Sequence, residues 1–429
     1  MNLFFLAIEL FTFGFAIYVL FYKKELAIVY IPVIIFSRIV ATAITPASVY
    51  YGLVSLFILY FIYKNPSFVR ENVFSLLLII LYGILLTQST DLETIRSGYF
   101  AVTWLFLCIP LINSIYKKYS REVILKELAF SAFIILAIFI LNVLMSSLKG
   151  YSPKLMYGIT SGVLFGNLYA TDFNILAFAL FIILYYVINK KNPIYFITFI
   201  VSLAFIMLSF RRSVMGMSLL GIAIILFIFM ARKNIKNLVV FGGLTAIIGF
   251  VVLLNTNFIN VFIERYEQRK LAERELGEET RFLEYEIIYQ DLFVYNDYSP
   301  WFGYELLNSA GNYGKGILDE RTLHSDITNI VHSTGIIGLL LYLLMVFTSF
   351  KHSFRNAATG SDILIILYCA AAFFVYTITG RYTSSESMMF LFMILALPLA
   401  QKEELPMPLS SDKPKLNDTS KVSPRLLLK

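Results

Sequence analysis

Residues 128–147 read LAFSAFIILAIFILNVLMSS, twenty residues without a charge. A helix rises about 1.5 Å per residue, so this stretch reaches about 30 Å, the thickness of a bilayer's hydrocarbon core. Outward in both directions the pattern recurs. Apolar spans are expected near 3–22, 26–43, 47–63, 72–89, 98–116, 128–147, 173–189, 194–210, 213–230, 237–254, 327–350, 362–379 and 386–400. The expected fold is therefore all-α, a polytopic membrane helical bundle of about 12–13 transmembrane helices. Composition agrees. Of 429 residues 59% are hydrophobic and only 15% charged, whereas soluble domains carry about 25% charged residues. The start lacks a basic n-region and a small-residue cleavage site, so the first span is expected to be retained.

The net charge of +7 could suggest nucleic acid, but its distribution argues for membrane topology instead. Lys23-Lys24, Lys64, Arg70, Lys117-Lys118, Arg121, Lys126, Lys190-Lys191, Arg232-Lys233, Lys236, Lys351 and Arg355 fall in alternate links. With the tail from Gln401 this side carries 21 Lys and Arg against 13 on the other, and Arg38 lies inside a span. The basic side is expected to be cytoplasmic, with the N-terminus outside. The division expected is 1–254 and 327–400 as membrane helices, 255–326 as a large outward loop and 401–429 as a disordered tail. That loop holds 14 Asp and Glu against 7 Lys and Arg. Phe282, Tyr285, Ile288 and Leu292 recur in it at helical spacing, predicting one or two amphipathic helices over the outer face, parted at Gly277, with Thr280 capping the second. The shorter outward loop, about 148–172, with Lys149, Lys154 and Tyr157, reads as a connector or as the wall of a substrate groove.

Fixed-spacing enzyme motifs are missing from the sequence. GNYGKG at 311–316 has neither the spacing nor the Ser/Thr of a P-loop. H-E-x-x-H, G-x-S-x-G and D-x-D are also missing, and the first outward link, 43–48, has no carboxylate of the kind a metal-dependent oligosaccharide transferase places there. Cys108 and Cys369 both sit in apolar runs, without metal or redox spacing. No cofactor or metal is expected.

Three outward positions carry candidate chemistry. Arg211-Arg212, in LSFRRSVMG, sit between two spans with almost no loop. They read either as arginines snorkelling to the headgroups or as a site for phosphate, whose oxygens a guanidinium matches bidentately. Arg281 follows Thr280 at an expected helix start, where free N–H groups also favour an anion; the plain alternative is a pair with Glu278 or Glu284. Arg265, Arg269, Lys270 and Arg274 alternate with acids as on a solvated helix. His324 stands just outside the eleventh span, a structural residue or a general base. His332 reads as a packing residue, and His352 as part of a charged link.

LSFRRSVMGMSLLGIAI, then TRFLEYEIIYQDLF, WFGYEL and LHSDITNIVHSTGIIGLLLYL, resembles in this order the O-antigen ligase/polymerase superfamily. That family has a rim arginine opening a span, an arginine opening a periplasmic helix, and a histidine leading through Gly-x-x-Gly into a span. The resemblance covers about 205–350, and the N-terminal half matches only as a string of spans. It implies that Arg212, with Arg211 as competitor, is the rim arginine, Arg281 the periplasmic one and His324 the periplasmic histidine. The two departures are Ser325, where the family often has Asn, and the second arginine at the rim.

The activity implied is an inverting, metal-independent glycosyltransferase in the bacterial inner membrane, its active site facing the periplasm. Glycan would pass from an undecaprenyl-pyrophosphate carrier to an acceptor sugar hydroxyl. Polymerase is the first reading; the alternatives are a ligase passing glycan to lipid A–core or protein and, more distantly, a polysaccharide flippase. The implied partners are the undecaprenyl-pyrophosphate-linked glycan, membrane lipid and, as a candidate, a chain-length regulator protein; nucleic acid is not among them. Arginines suit that chemistry, since a diphosphate leaving group needs charge stabilisation rather than protonation.

Overall fold

The computed structural model describes residues 2–41, 44–151, 162–231, 280–316, 322–379 and 384–401, with isolated helical positions at 243, 260, 263, 264 and 267. Among these the chain is helical throughout, without a named strand. The helices are α1 (Asn2–Lys23), α2 (Ile31–Val40), α3 (Ala47–Lys64), α4 (Val73–Leu86), α5 (Leu92–Tyr116), α6 (Arg121–Lys149), α7 (Asn174–Lys190), α8 (Pro193–Leu208), α9 (Arg212–Ala231), α10 (Thr280–Tyr289), α11 (Asp326–Asn356), α12 (Gly360–Thr379) and α13 (Ser385–Leu395). Twelve of the thirteen expected spans coincide with a described helix. The span at 237–254, Gly277, the Lys154–Tyr157 part of the shorter outward loop and the tail beyond Gln401 lie outside the described residues.

Among the described residues eight helical stretches are long and apolar enough to cross a membrane, with Leu3–Val40 counted as one; α4, α8 and α13 are apolar but shorter. Two of the expected spans, 26–43 and 386–400, hold helices shorter than the apolar runs that predicted them. The first is a tight helical turn, Lys24–Tyr30, running into the ten-residue α2. The second, α13, has eleven residues, all buried. Helix α13 packs on α2, α5, α7 and α12. Helix α7, buried along nearly its whole length, packs against α6, α8, α9 and α13.

The basic links do gather at one end of the bundle. Lys23 pairs with Glu127 at 2.8 Å, Lys118 with Glu25 at 3.0 Å, Lys117 with Glu71 at 2.7 Å, and Arg121 with Asp362. The Gln401 N–H donates to the Tyr119 carbonyl at 3.0 Å and brings the start of the tail to this end. A cavity of about 660 Å³ opens here, with Arg121, Lys190, Asp362 and Gln401 on its walls.

Arg38, expected inside the membrane, is held by a carboxylate from α1. Its Nη1 lies 2.8 Å from Glu9 Oε1, and its Nη2 donates to the Thr45 carbonyl at 3.0 Å. Glu9 also accepts from the N–H groups of Ile44 and Thr45, each at 3.0 Å. The pair therefore staples α1 and α2 to the turn before α3. Breaking a buried pair on one side leaves an uncompensated charge and costs about 3–5 kcal/mol, whereas apolar replacement of both sides is often neutral. Arg38→Met alone is expected to lower the melting temperature of the detergent-solubilised protein markedly, and Glu9→Leu with Arg38→Met to restore most of it. Equal melting of the single and double variants would refute the staple.

Candidate functional site

Helix α10 builds the cap at the other end, where residues 280–316 and 322–325 lie. In TRFLEYEIIY and the QDLFV after it, Glu284, Ile287, Ile288, Asp291 and Leu292 are buried, a helical stripe. The described part of α10 starts at Thr280; the expected capping side chain and the residues before it lie outside the described residues. The expected apolar face is turned: Ile288 and Leu292 are buried but Tyr285 only in part, and two acids share the face. Ile287, Ile288 and Leu292 form a small core with Tyr313 and Leu323. At Gln290–Val294 the helix widens into a π turn, a feature that recurs at functional sites.

Each buried acid has a specific reason to be there. Asp291 accepts the Gly314 N–H at 2.8 Å. Burial still pushes its carboxyl above the usual carboxylate range, against that hydrogen bond. With the folded value raised, the stability contributed by its proton is complete below the unfolded value of about 3.9 and is lost as pH rises through the folded one. Asp291→Asn keeps the acceptor and removes the buried charge. It is expected to stabilise the protein at neutral pH relative to the parent, an advantage that disappears toward pH 4; a thermal-melt series against pH checks this.

Glu284 is the second acid and lies fully buried beneath His324. Its Oε2 accepts the His324 backbone N–H at 2.9 Å, and its Oε1 lies 3.4 Å from His324 Nδ1. The imidazole itself is about a third exposed. A carboxylate at Nδ1 favours the tautomer with the proton on Nδ1 and the acceptor lone pair on Nε2. On either side the backbone is held: the Leu323 N–H donates to Ser309 Oγ at 3.1 Å, and Ser325 Oγ lies 2.6 Å from the Tyr285 hydroxyl and donates to the Thr377 carbonyl at 3.3 Å. Ser325 thus ties α10 to the end of α12.

The structure brings the α10 start, where Arg281 sits, to His324: Glu284 follows Arg281 by one turn. The Arg281 side chain lies outside the described residues. Arg211 and Arg212 sit where α8 turns into α9. Phe210 takes a left-handed φ of 52° there, and the Arg211 N–H donates to Ser209 Oγ at 3.3 Å. That turn separates the two arginines. Arg211 is half-buried, its guanidinium 6.0 Å from the centre of the Phe173 ring, and Arg212 is exposed. Helix α9 packs on α12, and the start of α9 and the end of α12, to which Ser325 is tied, share one rim.

Beside this rim opens a cavity of about 480 Å³, walled by α2, the start of α5, the 169–172 turn, Leu307 to Ser309, Thr322, Asn329 and the start of α13. Asp172 and Glu386 lie on its wall. Neither was marked by sequence reasoning, because each is a single acid at the edge of an apolar run. His332, by contrast, packs as expected: it is buried, with Nε2 2.9 Å from the Asn312 carbonyl, among Tyr298, Tyr304 and Tyr313.

Fold and site together define a polytopic α-helical membrane protein with a polar centre under a helical cap at one rim. Residues 196–343, about a third of the chain, match the family described as O-antigen ligase. The match runs from α8 to the middle of α11, contains Arg211, Arg212, Arg281 and His324, and supports placing the protein in the O-antigen ligase/polymerase superfamily. The match supports a general enzymatic role of the glycosyltransferase-like kind. No curated protein matches the chain.

Proposed function

We propose that the protein is a lipid-linked oligosaccharide polymerase, an inverting, metal-independent glycosyltransferase that extends surface polysaccharide on the outer face of the bacterial inner membrane. The observation that carries this reading is His324, part-exposed above the buried Glu284 inside the region that matches the O-antigen ligase family. In the proposed step His324 Nε2 takes the proton of an acceptor hydroxyl. The hydroxyl oxygen attacks the anomeric carbon from the face opposite the leaving group. The bond from that carbon to the diphosphate oxygen breaks, and its electron pair leaves on the undecaprenyl diphosphate. Arg212, Arg211 and Arg281 bind the diphosphate and take up the charge that develops there.

Purified protein in detergent, given lipid-linked repeat units, is expected to produce a ladder of longer glycans. Detergent leaves no compartment to cross, so a ladder also excludes transport as the sole role; failure to form any product would refute the reading. Lysine keeps the charge and loses the planar fork. Hydrogen bonds to charged groups contribute about 1.5–3 kcal/mol, so Arg→Lys at the functional rim position and at Arg281 should each cost about 10- to 100-fold in rate. The half-buried side chain of Arg211 supports expecting the larger loss there; loss confined to Arg212→Lys would assign the role to Arg212. Full activity in every lysine variant would make the arginines headgroup anchors.

The description of the matched family favours a second reading, a ligase that passes finished glycan to lipid A–core or protein. A deletion strain separates the two. Single-repeat glycan on the surface indicates a lost polymerase, and unlinked long polymer a lost ligase.

A further inference from the structure

We propose that the 480 Å³ cavity beside His324 is the acceptor subsite, shaped for an uncharged, hydroxyl-rich sugar whose hydroxyls donate to Asp172 and Glu386. The inference rests on the glycan-transfer reading and adds where the acceptor binds and which substrate class fits there. The volume lies within the roughly 300–1,000 Å³ of small-molecule sites. Charge favours the acceptor over the diphosphate. Among its described lining residues there is no Lys, Arg or His, while Asp172 and Glu386 are 8% and 2% exposed. A diphosphate placed there would face two buried acids. An uncharged sugar meets what it needs: carboxyl oxygens accept hydroxyl protons, Glu386, whose carboxyl is pushed up to about 8 by burial and the neighbouring Asp172, also keeps a proton to donate, and Ser97, Ser309 and Asn329 can donate as well as accept. Ile35, Ile39 and Leu307 supply apolar wall for the C–H faces of a sugar ring.

Position agrees with chemistry. Thr322 lines the cavity two residues before His324, and Ser309, also on the wall, holds the intervening Leu323. On the far side, Asp172 is followed by Phe173, the ring beneath Arg211. Arginines at the rim and buried acids within therefore sort a charged donor head from a neutral acceptor, which fixes the direction of transfer.

The test uses the full-length protein in lipid nanodiscs and two probes, the phosphate-free repeat oligosaccharide released from its carrier by mild acid, and undecaprenyl pyrophosphate. Glu386→Leu and Asp172→Asn are each expected to weaken oligosaccharide binding tenfold or more and to raise the acceptor KM, with carrier binding unchanged. Ala101→Leu fills the cavity from α5 and keeps both acids. It should produce the same loss, and it decides the matter should an acid variant fail to fold. Undiminished oligosaccharide binding in the folded variants would overturn the subsite, as would a gain in carrier binding without a loss of oligosaccharide binding. The glycan-transfer reading fails separately, if the parent protein transfers nothing from lipid-linked repeats, and the binding measurement does not depend on that outcome.

Discussion

His324→Ala is expected to reach the membrane in normal amount, melt close to the parent and make no polymer. The side chain is part-exposed and its ring completes no core, so its removal costs little packing. What holds this segment is its backbone, through Glu284 and Ser309, and alanine keeps both hydrogen bonds. The chemical loss is large, because general-base assistance contributes roughly 10²–10⁴-fold. Glu284→Gln refines the reading. The amide oxygen can still accept the His324 N–H, so the segment stays in place while the charge that steadies a protonated imidazole is gone. Activity between the parent and His324→Ala is expected there, measured as initial rate on defined lipid-linked repeats. A normal polysaccharide ladder from cells carrying His324→Ala would remove the imidazole from the mechanism.

The membrane helices were legible because lipid imposes a simple demand: every spanning backbone group must be bonded within its own helix and clothed in apolar side chains. What hydropathy misses is a polar group whose partner comes from far along the chain. Glu9 and Arg38 meet across 29 residues, and no periodicity announces them. The stripe on α10 is the clearest case. Its helical period was visible, but Glu284 and Asp291 belong to its buried face because N–H groups at His324 and Gly314 satisfy them. The rim arginines show another limit. The sequence narrowed the choice to two neighbours, and only the fold shows that Arg211, after the left-handed Phe210, is half-buried while Arg212 is exposed. Asp172 and Glu386 come together only when the 169–172 turn and the start of α13 converge, a juxtaposition no single segment encodes.

The glycines of WFGYEL and HSTGIIG were legible as motifs, but the lock they form was not, since contact between backbones leaves no side-chain pattern. Helix α11 breaks at Gly335, with φ 65° and ψ −165°, a region open essentially to glycine alone. The 299–304 turn plugs the break. The Tyr304 N–H donates to the His332 carbonyl at 2.7 Å, and the N–H groups of Ile336 and Ile337 donate to Pro300 and Trp301 at 2.9 and 3.3 Å. A Cβ on Gly335 would stand 2.2 Å from the Trp301 carbonyl carbon, and one on Gly303 2.4 Å from the His332 oxygen. Neither neighbour is a side chain that can swing aside. Gly335→Ala therefore incurs about 1–3 kcal/mol of backbone strain and loses up to three hydrogen bonds of about 1 kcal/mol each. Gly311→Ala is the control: its φ is also positive, at 71°, but nothing lies within 4 Å of the added Cβ, so it should show the conformational cost alone. The damage should also reach the chemistry, since the turn leads to Ser309, which positions Leu323 beside His324. Gly335→Ala and Gly303→Ala are expected to melt well below Gly311→Ala in detergent and to lose transfer activity even at temperatures where they remain folded. Melting of all three variants at the same temperature would mean that the plug is not what holds the cap to the bundle.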